Sequence, residues 1–282
     1  MNHHIFRNLL CTILGVVTLI MASLQDAHAG RGLFVIDQYY APGPYYEGKA
    51  QNSGFTTLFL FTLQVNANGD LRYGDNGIVA SNGVYVGNSS WNWQLAGCRG
   101  GSVSQIQMSI GNWGTQSFNN IRSLINSQGT GSGSILYRNF QALQNFIHMD
   151  AYLMDDETTY DVNSMVSFCK MLTDGLGTKV SLCPYTNQGF WSNVKSQLPN
   201  GRVTGVWLQC YDGGAGNSPT QWRSALGNTA VIFPGDWIND GGTTVTNYAR
   251  GWHNSGMTSA FIWADHAVPD PTWSGWLISG GF

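Results

Sequence analysis

Few residues of this chain carry a charge. Lys, Arg, Asp and Glu together make up 10% of the 282 residues, with a formal balance of −3. No basic tract or stripe stands out, which argues against nucleic acid and against an acidic membrane surface as partners. Cysteine is sparse as well, at five. The cysteines beyond the N-terminus (Cys98, Cys169, Cys183 and Cys210) lack the spacing of a zinc site. Prolines number only eight, and no linker-like segment or sequence repeat divides the chain. Nowhere does an apolar run reach the ~20 residues that a membrane span needs.

The longest apolar run sits at the N-terminus. His3, His4 and Arg7 make a weakly basic start, Leu9 to Leu24 an apolar core, and Ala27-His28-Ala29 a small-x-small site. That pattern predicts a secretory signal peptide over residues 1–29, removed after Ala29. A membrane anchor is the alternative, and the shortness of the run disfavours it. Cys11 lies too early to be a lipid-attachment cysteine. The expected product, Gly30 to Phe282, is secreted (extracellular or periplasmic) and free of the membrane. Export exposes the four remaining cysteines to an oxidising compartment, where they allow three full pairings. Plain buried thiols are as compatible with the sequence as bridges. Cys183 and Cys210 fall on neighbouring expected strands, with Cys210 facing away from the barrel interior.

Aromatics and small polar groups fill the composition instead. The chain holds 36 Gly, 11 Trp and 12 Tyr, with abundant Asn, Gln, Ser and Thr. Flat aromatic faces beside neutral hydrogen-bonding groups suit a sugar-binding surface. Short apolar runs alternate with amphipathic ones, which predicts βα units and a parallel sheet. The expected strands are Leu33–Ile36, Thr57–Val65, Gln105–Ile110, the run within Phe146–Glu157, Val180–Cys183, Gly205–Tyr211, Ala230–Phe233 and Ala260–Trp263. Helices are expected at 118–125, 136–146, 162–176, 191–198, 222–226, 243–252 and 273–278. An aromatic loop through Tyr39, Tyr40, Tyr45 and Tyr46 and a Gly-rich loop with Trp91, Trp93 and Cys98 are expected between the early strands. The Asn66-Ala67-Asn68-Gly69-Asp70 turn leads into Leu71 and Tyr73, and an N-x-S sequon sits at Asn88. Eight strands over ~250 residues fit one α/β domain, 30–282, folded as a (β/α)8 TIM barrel.

The chemistry concentrates in Phe146-Ile147-His148-Met149-Asp150-Ala151-Tyr152-Leu153-Met154-Asp155-Asp156-Glu157. In a strand, Leu153, Asp155 and Glu157 share one face and Asp156 takes the other. Asp155 and Glu157 would then lie about 6–7 Å apart. Carboxyls that close cannot both ionise cheaply, so one keeps its proton near neutrality. A protonated acid beside an ionised one is what glycosidic bond cleavage requires. Barrel active sites gather at strand C-termini. Those ends offer Asp37 and Gln38, Asn112 and Trp113, Tyr185, Gln209, Tyr211 and Asp212, and Trp263 with Asp265.

These residues carry a family resemblance. The chain resembles glycoside hydrolase family 18, which includes chitinases and endo-β-N-acetylglucosaminidases. The family's strand-four signature, D-x-x-D-x-D-x-E, is matched at Asp150, Asp155 and Glu157. Its strand-three signature, S-x-G-G, is similar to Ser109-Ile110-Gly111-Asn112, followed by Trp113. Gln209-Cys210-Tyr211-Asp212 looks like the family's strand-six Tyr-Asp, with Gln where many members have Met. Trp263 stands where the last strand usually offers a tryptophan.

The resemblance implies retaining, substrate-assisted catalysis on β-1,4 linkages beside N-acetylglucosamine in an oligo- or polysaccharide, by a monomer that needs no metal or cofactor. Under it, Glu157 protonates the leaving oxygen and then serves as base for water. Asp155 orients the substrate's own 2-acetamido group, and Tyr211 hydrogen-bonds its oxygen. Gln209 and Asp212 bind hydroxyl or amide groups, Trp263 floors the cleaved sugar's subsite, and Trp113, Asn112 and Tyr185 line the sugar path. Two departures stand out. Leu153 replaces the family's second Asp, which lies behind the third and shares its proton, so Asp155 is expected to lack that partner. Asn112 adds a side chain in place of the second Gly. The short link from Pro234 to Ser259 implies no inserted domain and an open, endo-acting groove. The blend of consecutive acids with Gln209-Cys210-Tyr211 leaves chitin, N-glycan core and peptidoglycan open.

Blander assignments compete at several positions. Asp150 is expected to tie down backbone, and Asp156 to be solvated. A metal cluster with His148 is disfavoured because His148 falls on the face opposite Asp155. His253 and His266 are lone, and no Ser/His/Asp ordering suggests a hydrolase triad. The rival from another class is a non-catalytic, lectin-like glycan-binding barrel, which Leu153 and Asn112 favour and a retained Glu157 opposes.

Overall fold

A computed structural model describes residues 30–36, 39–264 and 268–282. The expected signal peptide and the strand-end residues Asp37, Gln38 and Asp265, with His266, lie outside the described residues.

Eight parallel strands close into a barrel. They are β1 (Gly30–Ile36), β2 (Thr57–Val65), β6 (Gln105–Ile110), β7 (Ala151–Met154), β8 (Val180–Leu182), β9 (Val203–Gln209), β10 (Ile232–Trp237) and β11 (Ser259–Trp263). Each pairs with its sequence neighbour in the barrel, and β1 pairs with both β2 and β11, which closes the ring. A side ribbon branches from the end of β2: β3 (Leu71–Tyr73), β4 (Ile78–Ser81) and β5 (Val84–Tyr85), all antiparallel. The Asn66–Asp70 turn makes that branch, with Gly69 N donating to Asn66 O.

Nine α-helices are present among the described residues: α1 (Gly43–Gln51), α2 (Trp91–Cys98), α3 (Ser117–Gln128), α4 (Ile135–Ile147), α5 (Val162–Lys170), α6 (Gln188–Ser196), α7 (Pro219–Ala225), α8 (Gly241–Asn254) and α9 (Pro271–Gly280). Local chemistry sets several starts. Ser134, Asp161, Asn187, Ser218 and Asp270 each accept a backbone N–H of the first turn of α4, α5, α6, α7 and α9, which satisfies a donor the helix itself leaves unpaired.

Alternation along the strands sorts two apolar regions. Inside the barrel, Phe34, Phe59, Leu153, Cys183, Trp207, Phe233 and Phe261 form an aromatic plug. Outward residues such as Tyr152, Met154, Leu182 and Ile262 pack under the helices in a larger cluster. Phe59 and Phe233 each meet Trp207, at centroid separations of 4.6 and 4.4 Å, within the range where ring edges and faces attract.

Several expected boundaries move. The Tyr39–Tyr46 loop runs into α1, and the Gly-rich loop holds α2. Neither helix shows a clean apolar stripe. They form because Ala50 on one and Trp91, Leu95 and Cys98 on the other are buried, and the two helices pack on each other. Strand ten runs on through Pro234 and Gly235, which from sequence read as a stop. A Cβ at Gly235 would run into the Phe261 ring, so the close inward packing explains the glycine. Strand β9 ends at Gln209, two residues short of the expected Tyr211, and β7 covers only Ala151–Met154, with Phe146 and Ile147 finishing α4. The four described cysteines are free thiols. Cys183 sits in the inner plug and Cys210 packs against the outer cluster, so these two face opposite ways.

Candidate active site

Strand β7 aims the acids. Leu153 is fully buried in the plug, and Asp155, two residues on, lies directly above that apolar floor, just past the strand's end. Asp155 and Glu157 line one cavity of about 560 Å³ at the C-terminal mouth, with Phe34 and Phe61 below. All nine residues singled out above as catalytic or sugar-binding come together around it: Asn112, Trp113, Asp155, Glu157, Tyr185, Gln209, Tyr211, Asp212 and Trp263. They arrive from the ends of β6, β7, β8, β9 and β11. Sequence reasoning missed Phe34, Phe61 and Cys183 as wall residues. Their signal was alternation, since each is an inward position near a strand's upper end.

The two carboxyls lie close enough to shift each other's titration, and the Gln209 amide favours the ionised form of both. Gln209 Nε2 stands 3.1 Å from Asp155 Oδ1 and 3.4 Å from the Cys183 carbonyl oxygen. Asp155 is 3% exposed. Burial, then the charge of Glu157, pushes its carboxyl well above the usual carboxylate range. Burial raises Glu157 as well, while Gln209, Asp155 and the Trp113 backbone N–H pull it back down. Two acids that raise each other's titration in this way lose their protons as a pair, so one proton is retained beyond the usual carboxylate range. Tyr211 is held far above its ordinary value by burial and by Cys183, Asp155 and Glu157, so its hydroxyl remains a neutral donor. The Cys183 thiol is pushed up by burial and Asp155 and stays protonated.

The surrounding loops are fixed by backbone-directed bonds. Asn217 Nδ2 donates to Tyr185 O at 2.7 Å and to Gln209 O at 2.8 Å, while its own Oδ1 accepts from Trp222 Nε1 at 3.0 Å. That one amide ties the ends of β8 and β9 together. Asp156 is not solvated, contrary to the sequence expectation. It is buried and accepts the backbone N–H groups of Thr158, Thr159 and Tyr160 at 3.1, 2.8 and 2.9 Å. A tight turn after Glu157 needs an acceptor for those donors, and Asp156 is the side chain placed to supply it. Asp150, at the other end of β7, takes Ile106 N and Arg99 at 2.7 Å each, a backbone tie. His148 caps α4 before β7 begins, so it and Asp155 lie at opposite ends of the strand. Trp113 is 79% exposed at the rim, and Trp263 packs on Phe61 and Phe34 at 4.6 and 5.4 Å.

A closed parallel barrel with paired acids at its C-terminal mouth has the fold of the family 18 glycoside hydrolases. No protein-family profile matches the chain, and no curated protein sequence does. Among solved structures the chain is similar to a fungal endo-β-N-acetylglucosaminidase from glycosyl hydrolase family 18, at 12% identity and TM-score 0.63, over 88% of this chain and 96% of that one. It is similar also to a family 18 chitinase from Cycas revoluta in complex with (GlcNAc)4, at 10% identity and TM-score 0.60, over 89% and 99%. A chitinase-like agglutinin from Robinia pseudoacacia matches at 12% identity and TM-score 0.56, over 88% and 98%. Identities this low establish the fold; the roles of residues rest on the site's own chemistry.

Proposed function

We propose that this chain is a secreted glycoside hydrolase that cleaves β-1,4 linkages beside N-acetylglucosamine by retaining, substrate-assisted catalysis. One observation carries the reading: Asp155 and Glu157 line one cavity at the barrel mouth, near enough to perturb each other, and Tyr211 lines it with them. The pair's proton leaves through Glu157 to the glycosidic oxygen. Asp155, left anionic, holds the N–H of the substrate's 2-acetamido group, and the acetamido oxygen attacks the anomeric carbon. Tyr211 donates to that oxygen as charge develops on the ring it forms. Glu157 then takes a proton from water, which opens the ring with retained configuration. Trp263 supports the sugar being cleaved, Trp113 the next one, and Asn112, Tyr185, Gln209 and Asp212 bind its polar groups. Export after Ala29, action as a monomer, and independence from metal or cofactor belong to the same proposal. N-terminal sequencing of the exported protein checks the cleavage site.

The second reading is a lectin-like barrel of the same fold, favoured by Leu153 beneath Asp155 and by the similarity to an agglutinin. Hydrolysis of a chromogenic N-acetylchitooligosaccharide by the wild type and by Glu157→Gln separates the two. Turnover that Glu157→Gln abolishes supports the enzyme. Binding of the oligosaccharide with no turnover by the wild type supports the lectin, and turnover that survives the substitution removes Glu157 from its role.

A further inference from the structure

Strand β9 gives up its backbone pairing just where it enters the site. Gln209 N donates to Pro184 O at 2.9 Å and Cys210 N to Gly235 O at 3.0 Å, and β9 ends at Gln209. One side chain continues the pairing. Asn217 Nδ2 donates to the carbonyl oxygens of Gln209 and Tyr185, at 2.8 and 2.7 Å, so it joins β9 to the chain beyond β8. Trp222 fixes the orientation of this amide. An indole N–H can only donate, so the Asn217 atom 3.0 Å from Trp222 Nε1 is the oxygen, and the nitrogen faces the two carbonyls.

The route from β9 to α7 is shaped around this contact. Gly214 N donates to Tyr211 O, Ala215 N to Asp212 O and Asn217 N to Gly214 O, at 2.8, 2.9 and 3.0 Å. These turns fold Asn217 back over the end of its own strand. Gly214 has no left-handed backbone to demand glycine. A Cβ there would instead run into the Gln209 carbonyl oxygen and stand 3.0 Å from Asn217 Nδ2, so the missing side chain clears the path of the amide. Trp222, buried on α7, anchors the other end. Gln209 and Tyr185 line the cavity, and Asn217 stands behind them without lining it.

We infer that Asn217 is a positioning residue for the acid pair: it fixes the main chain of Gln209 and so sets how far the Gln209 amide reaches toward Asp155. That reach is 3.1 Å from Nε2 to Oδ1, and about 0.5 Å more would end the hydrogen bond. Groups at such a site must be held to that same tolerance by the shell behind them. The titratable neighbours of Asp155 and Glu157 are Asp156, Tyr160, Cys183, Tyr211 and Asp212. Asn217 bonds to none of their side chains, so its influence on the acids passes through Gln209. The kinetic consequences rest on the glycosidase reading above; the effect on the carboxyls does not.

The test is a double-variant cycle of Asn217→Ala and Gln209→Met. Each protein is assayed for N-acetylchitohexaose hydrolysis across pH, and its carboxyl titrations are followed by carbon-13 NMR. Asn217→Ala is expected to lower kcat about tenfold. It should also move the acidic limb and the carboxyl titrations to higher pH, the direction set by losing a donor to the ionised forms. In the Gln209→Met background the same change should alter kcat by less than about twofold and shift neither the limb nor the titrations. Loosening of Tyr185 should appear in KM alone. Effects that multiply in the double variant, or carboxyl titrations that Asn217→Ala leaves in place, overturn the inference. Gly214→Ala, which keeps Asn217 but blocks its reach, repeats the comparison if Asn217→Ala does not fold. A wild type that cannot cleave N-acetylchitohexaose removes the glycosidase reading instead, and the NMR titrations then decide the inference alone.

Discussion

The side-chain amide of Gln209 bridges to Asp155 Oδ1 at 3.1 Å, reaching over from β9 past Cys183 of the intervening strand segment. In the resembling family an acid sits two residues before Asp155; here that place is Leu153, buried in the aromatic plug. Gln209 thus supplies from the side the polar contact that Leu153 cannot supply from below. An amide donates and does not titrate, so it favours the ionised form of both carboxyls.

Replacing that amide tests the relationship. Gln209→Met is expected to cut kcat by about 10- to 100-fold, the worth of a hydrogen bond to a charged group. Losing the donor raises both carboxyls further, so the acidic limb of the pH–rate profile should move to higher pH. A profile that keeps its acidic limb would mean Gln209 acts only through packing. The double variant Leu153→Asp with Gln209→Met should recover part of the lost rate, because the new acid can share Asp155's proton.

The two acids differ in what their loss does. Glu157→Gln should lower turnover by about 10²- to 10⁴-fold while oligosaccharide binding, measured by calorimetry, stays near wild type. Asp155→Asn should also slow cleavage greatly. Its melting temperature at neutral pH should hold or rise, since burial beside Glu157 opposes ionisation of Asp155 as pH rises and an amide carries no such cost. A large fall in melting temperature would recast Asp155 as structural.

Gly111 sets the height of the site. Its φ is +78°, and a Cβ there would meet the Phe118 ring at 2.6 Å and the Asp155 carbonyl oxygen at 2.9 Å. Gly111→Ala is therefore both strained and crowded, at a cost of about 1–3 kcal/mol. Activity should fall by more than the stability loss explains, because the clash pushes on the residue that carries Asp155. Denaturant melts and kcat measured on the folded fraction distinguish the two effects.

Stability should depend on pH through Asp236. Burial, and to a lesser degree Asp240, pushes its carboxyl up to about 7, against the counter-pull of the Trp237 N–H. A folded-state value above the unfolded one means that the stabilising contribution is full below the unfolded carboxylate value, about 4. It is lost as pH rises through about 7. Melting temperature should decline over that window, and Asp236→Asn should flatten the decline. An unchanged slope in the variant would assign the effect to other groups, Asp155 first.

Trp113 and Trp263 should separate affinity from stability. Trp113 is 79% exposed, so Trp113→Ala should leave the melting temperature unchanged and weaken oligosaccharide binding several-fold. Trp263→Ala removes a ring packed on Phe34 and Phe61 and should lower both affinity and stability. Equal affinity in Trp113→Ala would take that ring off the sugar path.

Much of this was legible in the residue string. Short apolar runs mark strands, the helical period between them marks the returning helices, and eight such units fit a parallel barrel. Alternation carried past Leu153 puts Asp155 and Glu157 on one side, and both do line one cavity although β7 itself ends at Met154. The nine site residues follow from the same rule applied at each strand's end. Where the rule had no purchase, the reading failed: α1 and α2 lack a clean stripe, and Pro234 with Gly235 imitates a stop inside β10.

Local pattern therefore determined the strand order, the mouth that holds the acids and the face each acid takes. Tertiary structure alone decided who touches whom: that Gln209 reaches Asp155, that Asp156 closes its own turn, and that the cysteines stay apart. Alternation is a property of one segment and can be read along it. A hydrogen bond between residues 54 positions apart depends on barrel curvature and on the rotamers that packing allows, and no single segment contains that information.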